Sequence, residues 1–141
     1  MVIQRKQSLF LLIAAILMGI YAFMPQLINA RGEVIMGGMC LEGLESIPFF
    51  LNCLIALLSF ITIFKFKSLK FQKTLCIINI LLILASLATM CSIAFLQENC
   101  DLLGSLTYYN VLPILAIIFL LLAHKGISHD RKLLRGSSRI R

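Results

Sequence analysis

KFKSLKFQK, Lys65 to Lys73, carries four lysines in nine residues and no acid, with a long apolar run on each side. Two apolar runs precede it and two follow, so it divides the chain into two membrane hairpins. Short loops rich in Lys and Arg are retained on the cytoplasmic side. The stretch therefore predicts both the number of spans and their direction.

The composition agrees. Of 141 residues, 60% are apolar and 13% charged, and the mean hydropathy is +0.99. A soluble chain is roughly a quarter charged. Apolar runs long enough to cross a bilayer account for the excess. The expected fold is an all-α, four-helix transmembrane bundle occupying the whole chain as one domain. The spans are expected at about 8–24, 47–64, 74–95 and 105–123, followed by a basic tail over 124–141.

The net charge of +7 divides sharply on this scheme. Arg5, Lys6, Lys65, Lys67, Lys70, Lys73, Lys125, Arg131, Lys132, Arg135, Arg139 and Arg141 fall on one side with only Asp130, giving +11. The other side receives Arg31 with Glu33, Glu42, Glu45, Glu98 and Asp101, giving −4. Four spans with both termini inside (N-in, C-in) produce this partition. The positive-inside rule accounts for the basic excess, so nucleic acid is not an expected partner.

Each segment carries its own signals. Ser8–Met24 spans roughly 26 Å at 1.5 Å per residue and Pro25 ends it. The alternative, a signal peptide cut after Ala30, places Ile28 where a small residue belongs, so the segment is expected to stay as a span. Ala15 and Gly19 form a small-xxx-small pair suited to a close helix contact. In the outer loop Gln26–Ser46, four glycines and the β-prone Val34–Met36 point to a small hairpin over the bundle mouth. Pro48 sits in the first turn of the second span. In the third span Ala85, Ala88, Thr89 and Ser92 repeat at helical spacing, a face expected to pack innermost. Pro113, inside the expected fourth span, is expected to kink it or to be compensated by a neighbour. The tail reads either as a helix on the inner membrane surface or as a solvated orientation signal.

Chemistry-bearing residues are few. Cys53, Cys76 and Cys91 lie within spans, where a thiol acts as a small hydrophobe. Cys40 and Cys100, one in each outer loop, form a candidate disulfide, facing an oxidising compartment if the membrane is a bacterial inner membrane. A thiol-to-quinone oxidoreductase would have this size and topology but needs a relay of two cysteine pairs, which two outer cysteines do not supply. No span holds an Asp, Glu, Lys, Arg or His, so an ion or proton pathway has no anchor. Asn52, Asn79 and Asn110 are the strongest polar groups there and read as interhelical contacts. His124 and His129 have no cysteine cluster near them to form a zinc site. Ser128, His129 and Asp130 are adjacent, unlike the convergent groups of a triad. No GxxxxGK[ST] loop is present. The expectation is no enzyme, no cofactor and no metal.

The opening MVIQRKQSLFLLIAAILM, through Ile3, Gln4, Arg5, Gln7, Ser8 and Leu9, resembles a family of small bacterial membrane proteins, domain-of-unknown-function family four-two-nine-three. The closing LPILAIIFLLLAHKGISHDRKLLRGSSRIR resembles its last span and tail at Leu121, Leu122, Ala123, Ile127, Asp130, Leu133, Arg135, Arg139 and Arg141. His124 stands for a usual Asn and Ser138 for a usual Asp. The resemblance implies a four-span inner-membrane protein and supplies no mechanism. The family-like residues cluster at the two cytoplasmic ends. Gln4, Arg5, Asp130, Arg131, Lys132, Arg135, Arg139 and Arg141 are therefore expected to form one platform for a partner or anionic lipid. The favoured reading is a structural or accessory component, in contact with the bilayer and with a membrane-protein partner or further copies of itself. A small neutral-solute channel or transporter subunit is the alternative.

Overall fold

A computed structural model of the chain describes residues 2–29, 31–37, 43–65, 67–96 and 107–139. Four helices dominate: α1 (Val2–Phe23), α2 (Ile47–Phe64), α3 (Leu69–Leu96) and α4 (Val111–Arg139). All four are long and apolar enough to cross a membrane. Each helix packs against the next in sequence, and α4 closes back on α1, giving a four-membered ring. The chain is built as a multi-pass membrane protein.

The centre of the ring is sorted by helical phase. Leu11, Ala14, Met18 and Tyr21 on α1 meet Ile55 on α2, Cys76 and Ile83 on α3, and Ala116, Leu120, Ala123 and Ile127 on α4. On the outside, Leu9, Ile16, Ile20, Phe50, Leu57, Leu81, Ile114 and Leu121 are exposed. In water such a surface would drive association; in lipid it is the solvated face. Lipid tails are as apolar as the core, so packing and polar contacts, more than burial, hold the ring together.

Beyond α1 the chain forms the hairpin that its glycines predict. Strand β1 (Pro25–Ile28) pairs antiparallel with β2 (Val34–Gly37), Pro25 opposite Gly37 and Ile28 opposite Val34. Pro25 lacks the N–H that α1 would need and opens the strand, where proline is tolerated. Gly37 has φ +102°, and a Cβ there would lie 2.6 Å from both Gln26 N and Met24 O. Only glycine fits. Leu27 and Met36 pack on Met90 and Ala94 of α3, seating the hairpin on one end of the ring.

Four features differ from the sequence reading. The small-residue face of α3 is not innermost: Ala85, Ala88 and Ser92 are exposed, and the buried face runs through Gln72, Cys76, Asn79, Ile83, Ser86 and Met90. Ser86 donates to Asn52 and Gln72 to Thr62 O, both on α2, contacts that alanines on that face could not make. Pro113 does not interrupt a helix, because α4 begins at Val111 after a 3-10 turn over Tyr108–Asn110. It lies in the first turn, where its missing N–H has no intrahelical partner to lose. The tail is no separate element: α4 runs on without a break to Arg139. Ile127 and Asp130 are buried, which holds the extension against the ring. Finally, a Cβ added at Gly19 would meet nothing within 4 Å among the described residues, so of the Ala15–Gly19 pair only Ala15 is buried and Gly19 marks no close helix approach.

Candidate functional site: the basic end of the bundle

The link between α2 and α3 is shorter than the charge pattern suggests, since α3 already begins at Leu69. Lys65 N–H donates to Thr62 O and Ser68 N–H to Lys65 O, closing the turn. Lys70 and Lys73 thus ride on α3. At this end of the ring Lys73 Nζ donates to Ser128 Oγ of α4 at 3.2 Å.

Across the same end, α1 meets α4 through a buried polar pair. Gln7 Nε2 donates to Asp130 Oδ2 over 123 residues of sequence. The two side chains are 3% and 7% exposed. Gly126, one turn before Asp130, makes room for the contact: a Cβ there would lie 3.0 Å from Gln7 Cγ and 3.2 Å from Gln7 Nε2. Asp130 Oδ1 and His124 Nε2 are buried without a hydrogen-bond partner among the described residues. A buried acid held by one amide is a costly arrangement, worth keeping only where it fixes a geometry.

The expected platform residues divide around this joint. Asp130 is at its centre; Arg131 is half-buried beside it; Lys132, Arg135 and Arg139 are exposed along the rest of α4. Gln4 and Arg5 lie on α1, but their side chains, with Arg141, lie outside the described residues. Cys40 and Cys100 also lie outside them. Cys53, Cys76 and Cys91 are free.

The expected asparagine contacts differ from one another. Asn52 Oδ1 accepts from Ser86 Oγ at 2.7 Å, joining α2 to α3. Asn110 Oδ1 accepts from Tyr21 OH at 2.7 Å while its Nδ2 donates to Gln26 O at 3.0 Å, tying α1, β1 and α4 at the hairpin end. Thr107 Oγ1 donates to the same carbonyl at 2.9 Å. Asn79 corrects the expectation: it is fully buried, yet neither amide atom has a partner among the described residues.

A family model described as "Domain of unknown function (DUF4293)" matches residues 3–140. The chain belongs to this family. No curated protein and no solved structure matches it. The DUF4293 match runs through both sides of the Gln7–Asp130 joint, and these two family-like residues, one from each end of the chain, meet in space there. Gln7 lies within the family-like N-terminal cluster without having been assigned a contact, and Gly126 was absent from the expected site. Their signal was helical phase: Gln7 lies one turn before Leu11, and Gly126 one turn before Asp130, on the inward faces of their helices.

Proposed function

We propose that this DUF4293 protein is a structural or accessory component of the bacterial inner membrane, without catalysis of its own. Its two chain ends form one basic cytoplasmic platform that docks an acidic partner or anionic lipid. The observation that carries the reading is the Gln7–Asp130 joint. It locks the first helix to the last at the end where Lys67, Lys70, Arg131, Lys132, Arg135 and Arg139 gather, so the cations stand on a fixed frame. The positive-inside rule supplies the orientation. A reporter fused after Arg141 is expected to be active only as a cytoplasmic fusion. The full chain, purified in mild detergent, is expected to retain anionic lipid or partner that the K132Q/R135Q/R139Q variant sheds. Equal retention by both proteins, or an outward terminus, would sink the reading.

A second reading, a small neutral-solute channel or transporter subunit, is favoured by one observation. Asn79 on both amide atoms, Asn52 at Nδ2 and Ser59 at Oγ offer unpaired polar atoms inside the ring. Such groups suit a polar uncharged solute better than an ion. Liposomes containing the protein would then take up glycerol or urea faster than empty ones, and equal rates would exclude it.

A further inference from the structure

Between the α2–α3 turn and the end of α4 lies a groove of about 380 Å³. Lys67 and Lys70 line one wall and Arg131 and Arg135 the other, so four cations face a space that no acid borders among the described residues. Ser68 adds a hydroxyl to the lining, while the Ser138 hydroxyl already donates to Arg135 O at 3.0 Å. The groove also takes the first turn of α3, whose leading N–H groups precede the first helical bond, from Gln72 N–H to Ser68 O. Such N–H groups carry partial positive charge.

Two features distinguish a lipid from a free anion. Leu69 and Leu134 line the groove among the cations. Phe64 and Phe71 are exposed close by in sequence, at 64% and 51%, where α2 ends and α3 begins. A ligand charged at its head and apolar below it matches this lining, and basic pockets between transmembrane helices are suited to anionic headgroups. A neighbouring hollow lined by Lys132, Arg135, Gly136, Ser138 and Arg139 has cations but no large apolar residue. It lacks the second half of the match.

We infer that the groove between Lys67–Lys70 and Arg131–Arg135 is a specific site for the phosphodiester headgroup of an anionic glycerophospholipid. The inference rests on the basic-platform reading and gives it an address. The test is native mass spectrometry of the full chain in mild detergent, titrated with cardiolipin, phosphatidylglycerol or phosphatidylcholine. Saturable binding of one anionic lipid, with phosphatidylcholine bound far more weakly, is expected. A Lys or Arg near an anionic surface contributes a factor of about five. K67Q/K70Q/R131Q should therefore weaken binding roughly a hundredfold, and K67Q/K70Q, whose residues are exposed, about twentyfold. K6Q/K65Q/K125Q removes the same charge at exposed residues outside both the groove and the platform and should cost less than about tenfold. Equal losses in the two triple variants would overturn the groove and leave the platform to stand or fall with K132Q/R135Q/R139Q. No loss in either would overturn both. Full displacement of lipid by millimolar inorganic phosphate would overturn the lipid as occupant.

Discussion

Replacing Gln7 and Asp130 singly and together tests whether the α1–α4 joint is a coupled unit. Gln7→Leu leaves the Asp130 carboxylate buried with neither oxygen bonded among the described residues. Stranding a buried charge costs 3–5 kcal/mol, and with Asp130 7% exposed near the membrane surface we take the low end, about 3 kcal/mol. Asp130→Leu strands one amide donor of Gln7, a cost of about 1–2 kcal/mol. The double variant leaves no unpaired group and should lie within about 1 kcal/mol of the native protein. The coupling is then about 3 kcal/mol, well above the roughly 0.6 kcal/mol average for interhelical hydrogen bonds in membranes. Asp130→Asn keeps an acceptor for Gln7 and should cost less than about 1 kcal/mol. Reversible unfolding in mixed micelles gives all four stabilities. Additivity within about 0.5 kcal/mol would refute the joint.

Other sites give sharper contrasts. Gly37→Ala forces both a positive φ and contacts at 2.6 Å, so it should cost more than about 2 kcal/mol by thermal unfolding, whereas Gly32→Ala, with φ +81° but open space, should cost about 1 kcal/mol. Asn79→Leu should stabilise the fold by about 1 kcal/mol, since it removes two buried atoms unpaired among the described residues, while Ser86→Ala should destabilise it by about 1 kcal/mol by leaving Asn52 Oδ1 without its donor; equal effects in micelle unfolding would contradict the assigned contacts. Ala85→Leu and Ala88→Leu, on the lipid-exposed face of α3, should stay within about 0.5 kcal/mol of the native stability, and a larger loss would place that face in an interface.

Much of the fold was legible because a bilayer constrains length and charge so tightly. The lysine turn, the four spans and the proline at the start of α2 all follow from hydropathy and from N–H accounting. The hairpin was legible through Gly32, Gly37 and the β-prone Val34–Met36, although its first strand, Pro25–Ile28, carried no such mark. What the sequence concealed was direction. Ala85 and Ala88 obey the small-residue rule for packing, yet Asn79 and Ser86 on the same helix compete for the interior and prevail. The tail conceals its course for a related reason. Its charges suggest a separate surface element, while Asp130 continues the inward phase of Ala116, Leu120, Ala123 and Ile127. Following that phase past Ala123 leads to the joint with Gln7.

The helix that carries both clamps has a mechanical meaning. Asn110, at the threshold of α4, is held by Tyr21 and Gln26, and Asp130, 20 residues later, is held by Gln7. At 1.5 Å per residue the fastenings stand roughly 30 Å apart along the helix. Sliding α4 by one turn would shift both by about 5.4 Å and break both together. The rod can neither slip nor piston by halves. A membrane that does not match the apolar band of the ring is then met by tilting the bundle as a whole or by deforming the lipid, not by sliding one helix past its neighbours.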